Sequence, residues 1–326
     1  MNNEAKIGFP PAAGLVVGLV AVSFAGIIIK NCGMHPWAMA TFRMLGGGLV
    51  LLPLAWPHLK RELSALDRKG RLILLLAGFF LAIHFVCWME SLNVLTVASA
   101  TMTLAVQPVF AAVIGHFFLR ERFKISTAFA LVITLAGLAF IALDALEGAQ
   151  QQQVANLSSP LLAILRVQKS DTGLYGVIFA VLSALFITAV ISCGKVVRQK
   201  MHIFSYSSSI FLIAGLLLTP SLFMYAGDLG TYAPGKWFFM GLMVLVPTLM
   251  GHTLFYWAVK YIKVITINLS ALTEPVLATI GATFLVPHPE IPRMLFLAGG
   301  VVILGGVAYH LSVESREKIV YIPPTD

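Results

Sequence analysis

The sequence predicts an all-α polytopic membrane protein, with ten transmembrane helices as two inverted five-helix repeats. Three observations point there: the composition, a regular succession of apolar runs, and the alternation of basic residues between the connections. Of 326 residues, 59% are apolar and 11% charged, and the mean hydropathy is +0.90. Soluble domains carry about 25% charged residues, so a water-soluble fold, a coiled coil, a collagen-like chain and a disordered chain are all excluded.

The ten spans are expected at 11–29, 36–56, 72–91, 94–119, 125–144, 173–192, 205–226, 237–258, 264–287 and 294–313. Each is near the ~20 residues that cross the hydrocarbon at about 1.5 Å per residue. The runs lack the period-2 alternation of a β-barrel, which leaves helix. The first run shows no A-x-A-like cleavage site and is expected to stay as a span. Its Gly14 and Gly18, and Gly46, Gly47 and Gly48 in the second span, permit close helix contact. Trp37, Trp56 and Trp237 stand at span ends, as an aromatic belt requires. Lys30, Lys260 and Lys263 also stand at span ends, where their side chains snorkel to the interface. Cys32, Cys87 and Cys193 fall in different layers and form no CxxC, so neither a disulfide nor a zinc site is expected.

Lys and Arg set the orientation. With the N-terminus inside, the cytoplasmic connections hold sixteen, in groups such as Lys60, Arg61, Arg68, Lys69 and Arg71, or Lys195, Arg198 and Lys200. The outer side holds Lys30, Arg166, Lys169, Lys236 and Arg293. That asymmetry predicts both chain ends in the cytoplasm, in a bacterial inner membrane. It also accounts for the net charge of +8 without nucleic acid as a partner.

The one long connection, 145–172, is an expected outer-side linker with a weak glycosylation sequon at Asn156-Leu157-Ser158. It separates a first repeat, 1–144, from a second, 173–313, followed by a cytoplasmic tail, 314–326. The halves correspond: Gln107-Pro108-Val109 with Glu274-Pro275-Val276, His84 with His252, and Trp88 with Trp257. Five is odd, so the halves enter the membrane from opposite sides. Inverted repeats are a common architecture of secondary transporters.

Three stretches resemble EamA-type transporters of the drug/metabolite transporter superfamily: Ala21-Val22-Ser23-Phe24 followed by Thr41-Phe42-Arg43, Gln107-Pro108-Val109-Phe110 leading to Leu119-Arg120-Glu121-Arg122, and Ala271-Leu272-Thr273-Glu274-Pro275-Val276. The likeness covers nearly all of 11–313. It implies a ten-helix inverted-repeat bundle that moves small metabolites, often outward. Val286-Pro287-His288-Pro289-Glu290 and the long linker depart from the family pattern.

An ionisable side chain at mid-bilayer costs at least a few kcal/mol and needs a partner or a wet cavity. Glu274, halfway along the ninth span, is a candidate for proton coupling or for binding a substrate amine; the alternative is a fixed packing contact. Gln107 is its equivalent in the first half. Pro275 and Pro108 lack an amide hydrogen, so the carbonyls of Ala271 and Leu104 are expected to lose their helical partners. His84 with Trp88, and His252 with Tyr256, share helix faces and suit a metabolite pocket; hydrogen bonding to a neighbouring helix is the plainer alternative. Arg43 is placed to hold a substrate carboxylate or to pair with Glu90. Asn268, Ser270 and Thr103 are further lining candidates. No third and fourth metal ligand is in reach of the histidines. No Walker A loop or catalytic signature occurs, and no cofactor is expected.

Together these features predict a secondary transporter, an exporter of amino acids or related small metabolites, with the lipid bilayer as its solvent and protons as a candidate coupling ion. A membrane enzyme on a lipid-linked substrate, a channel or a sensor subunit are the alternatives.

Overall fold

The structure is a computed structural model that describes residues 10–95, 100–101, 103–121, 124–149, 172–225, 232–285 and 294–316. Most of the linker with its sequon, the 286–290 segment and both chain ends lie outside the described residues. Among the described residues there is no strand, and ten helical rods follow the expected order. They are α1 (Pro11–Ser23, continued by Ala25–Cys32), α2 (Pro36–Ala65), α3 (Arg68–Val94), α4 (Leu104–Phe117), α5 (Ile125–Ala149) and α6 (Thr172–Val197). Then come α7 (Ile203–Tyr225), α8 (Pro234–Ala258), α9 (Val264–Leu285) and α10 (Met294–Arg316). Eight are long and apolar enough to cross a membrane; Leu104–Phe117 and Ile125–Phe140 are shorter apolar stretches.

Local chemistry sets several ends. Pro11, Pro36 and Pro234 open helices, where a missing N–H costs nothing. Asp67 caps α3 by accepting from the Gly70 amide. Gly33, at φ +58°, closes α1 in the left-handed region that glycine enters freely. The second helix runs nine residues beyond its expected end, through Pro57 to Ala65, because the basic stretch after the membrane continues the same turn. The Glu121 carboxylate accepts from the Val264 amide and so joins the end of α4 to the N-terminus of α9, where a negative charge is favoured.

The principal helix pairs are α2 with α7, α3 with α6, α5 with α10, α3 with α7 and α1 with α8. Smaller contacts join α4 with α9, α4 with α6, α1 with α9 and α2 with α8. Exchanging the first five helices with the last five maps this set onto itself. The pairs α2–α7, α5–α10 and α4–α9 are unchanged, α3–α6 becomes α8–α1, α3–α7 becomes α8–α2, and α4–α6 becomes α9–α1.

The glycines work as expected from their spacing. A Cβ on Gly14 would strike the Trp257 ring, and one on Gly18 would press on Phe255. A Cβ on Gly48 would lie 2.7 Å from Leu212. Bulky apolar side chains such as Leu49, Leu54, Phe117, Phe223 and Phe284 cover the outside, which hydrocarbon solvates and water would not.

Candidate functional site

A cavity opens between α1, α2, α3, α4, α6, α8 and α9. It encloses about 770 Å³ of space, counting its mouth. Six of the predicted residues meet in its wall: Arg43, His84, Trp88, Gln107, His252 and Glu274. These come from five helices, and no two neighbours in that order lie on the same turn except His84 and Trp88.

Arg43 is buried within α2. Its Nε donates to Thr248 Oγ1 at 2.7 Å, and its guanidinium lies 4.9 Å over the Phe85 ring. It does not pair with Glu90. Glu90 accepts instead from Trp37 Nε1 at 2.8 Å and from Tyr175 OH at 3.0 Å, which ties α2, α3 and α6 together. Trp37 is therefore an internal strut, whereas Trp56 and Trp237 are exposed as belt residues are. Thr248 lies in a π-helical stretch, Val244–His252, that contains Pro247 and widens the turn of α8.

The two histidines differ. His84 Nδ1 sits 2.8 Å from Ser183 Oγ and 2.9 Å from the Ser183 carbonyl on α6. His252 Nδ1 is buried with no hydrogen-bond partner. Phe85 lies between them, its centroid 4.9 Å from the His84 ring and 6.2 Å from the His252 ring.

Glu274 and Gln107 also face a second, smaller cleft between α4 and α9, with Thr101 and Asn268. Thr101 and Asn268 are themselves equivalents, each six residues before its Gln-Pro or Glu-Pro. Both prolines follow a short 3-10 turn, Leu104–Val106 and Ala271–Thr273. The expected free carbonyls are not free: Gln107 N–H donates to Leu104, and Glu274 N–H donates to Ala271. The chain answers each proline by tightening one turn, which keeps these acceptors satisfied.

Five sequence expectations need correction. Tyr256 does not line the cavity; it is wholly buried against Tyr206 and Phe211. Asn268 is held by the Val264 carbonyl and Thr188 and reaches only the smaller cleft. Ser270 is buried and faces neither space. Thr101, not Thr103, joins the wall. Trp257, the counterpart read for Trp88, packs on Gly14 and Tyr261, outside the cavity. Phe85, Thr248 and Ser183 were missed; a phenylalanine in an apolar helix and a serine in a distant one carry no local signal.

The chain matches the EamA-like transporter family over residues 11–143 and again over 174–311. It is 27% identical over 308 residues to the uncharacterized transporter YdfC of Bacillus subtilis, covering 94% of this chain and 92% of that one. An uncharacterized transporter of Archaeoglobus fulgidus is 24% identical over 90% of this chain and 94% of its own length. Part of the chain, 37%, is 27% identical to 41% of an S-adenosylmethionine uptake transporter of Rickettsia felis. A solved crystal structure superposes with a TM-score of 0.68 at 14% identity, over 94% of this chain and 99% of that one, a likeness of fold.

Proposed function

The chain belongs to the EamA-like transporter family, and from that premise we propose that it is a secondary active carrier that exports small metabolites, amino acids or related compounds, by alternating access. The family makes it a multi-pass membrane transporter; the solute, direction and coupling are our reading. One observation supports it most: the repeat-equivalent pairs Gln107 with Glu274 and His84 with His252 line one cavity between the halves. In an inverted-repeat carrier the solute sits there, and exchanging the conformations of the halves exposes it on the other face. The self-mapping set of helix contacts supports the division into 1–144 and 173–313. The basic-residue asymmetry supports cytoplasmic chain ends in a bacterial inner membrane. The name of the Rickettsia felis relative supports a small organic metabolite as the solute class.

Glu274 is the coupling group in this reading, with Gln107 its neutral counterpart. The test is flux in proteoliposomes. The wild type is expected to carry pooled amino acids with a rate that depends on pH. Glu274→Gln is expected to lose most of that flux together with its pH dependence. Unaltered flux and pH response in the variant would remove Glu274 from the mechanism.

A further inference from the structure

We propose that Arg43 and His252 form a subsite for the carboxylate of a monoanionic or zwitterionic solute, so that the solute enters the cavity with a fixed direction. The inference rests on the carrier reading and deepens it. Arg43 Nη2 and His252 Nδ1 are both buried, both belong to residues of the cavity wall, and neither has a hydrogen-bond partner among the described residues. Leaving a buried donor unmade costs about 1–3 kcal/mol, and more for a charged group. Two such atoms in one cavity wall indicate an acceptor that the solute brings.

The geometry favours a carboxylate. Thr248 of α8 holds Arg43 Nε, and Phe85 of α3 lies beneath the guanidinium and 6.2 Å from the His252 ring, so one phenyl ring borders both groups. No acidic side chain among the described residues lies within ion-pair distance of Arg43; Glu274, in the same wall, is the carboxylate whose charge reaches it. A guanidinium edge, together with His252 in its Nδ1–H tautomer, offers donors to the two oxygens of a planar carboxylate. A dianion such as phosphate fits worse. Among the described residues Arg43 is the single fixed cation of the wall, and the Glu274 carboxylate shares the cavity. Glu274 and Gln107 then face the other end of the solute, where an ammonium is accepted.

The subsite also belongs to one half only. His84, the equivalent of His252, is capped by Ser183 on α6. His252 Nδ1 has no such partner, so one histidine of the pair is held and the other is open.

The test uses the full-length protein in lipid nanodiscs with three matched probe sets: α-amino acids, their α-carboxamides, and the corresponding decarboxylated amines. Binding is read by titration and thermal midpoint. At least one amino acid is expected to bind, and its carboxamide about tenfold more weakly or worse. Arg43→Gln is expected to level acid and amide to within about twofold, and Arg43→Lys to keep part of the preference. The acid–amide comparison is made on wild-type protein, so a misfolded variant does not blur it. Equal binding of acid and amide by the wild type overturns the subsite while leaving the carrier. A folded Arg43→Gln that keeps the full preference does the same. Silence from all three sets, with no flux in proteoliposomes, overturns the carrier reading and the subsite together.

Discussion

Single residues show how tightly this bundle is packed. Gly48 takes the backbone of α2 against Leu212 on α7, and Ser208 Oγ donates to the Gly48 carbonyl at 2.9 Å. A Cβ there would also lie 3.0 Å from the Leu212 backbone nitrogen, which cannot swing away as a side-chain tip can. Gly48→Val is expected to lower stability by about 1–3 kcal/mol through overpacking, read as a fall in the unfolding midpoint in detergent. Gly235→Ala is the control: nothing lies within 4 Å, and its midpoint is expected to stay or rise slightly. The same scale explains a basic residue counted as a loop charge. Arg198 is wholly buried, with its guanidinium donating to the carbonyls of Tyr256 and Met201, so it fastens the C-terminal end of α6 to the C-terminal end of α8.

At the scale of elements, the two 3-10 turns set the phase of the site. Each residue of a 3-10 helix advances about 120°, against about 100° in an α-helix. Ordinary helical counting puts Thr103 over Gln107 and Ser270 over Glu274, four residues apart. Three steps at 120° move those residues about 100° away and bring Thr101 and Asn268 to within about 60° of the same face. That is where the structure has them. Pro275→Ala supplies the amide hydrogen that a regular α-turn needs. The segment is then expected to relax, rotating Glu274 by about 60° relative to α9's first half. Transport is expected to fall sharply with the unfolding midpoint unchanged or higher, because an interior proline costs a helix about 3 kcal/mol. Unaltered flux in Pro275→Ala would show that the turn has no part in placing the carboxylate.

For the whole molecule, the central expectation is orientation. Tags at the two ends, or cysteine labelling of single exposed positions, are expected to place both termini, Lys60 and Lys200 on the cytoplasmic face, and Lys236 on the outer face. Termini on opposite faces would dissolve the two-repeat carrier. A second whole-molecule feature is the outer latch: Lys236 Nζ donates to the Gly33 carbonyl at 2.8 Å and lies over the Tyr232 ring, while Tyr232 OH accepts from the His35 amide. It joins the end of α1 to the start of α8, and in the proposed alternating-access cycle it is expected to break.

The sequence by itself determined that this chain is a bundle of about ten apolar helices and which family it resembles. Hydrocarbon solvates no backbone polar group, so each crossing segment satisfies its own hydrogen bonds and announces itself locally as an apolar run of fixed length. It also singled out Arg43, His84, Trp88, Gln107, His252 and Glu274, because a polar side chain at that depth needs a reason to be there. Only the tertiary structure decided which of them are free. His84 is answered by Ser183 from 99 residues away, Arg43 by Thr248 from 205 away, and Glu90 by Tyr175 rather than by Arg43. Those partners depend on the rotational phase of each helix past its 3-10 or π turn and on which helices touch. Neither is encoded within any one apolar run.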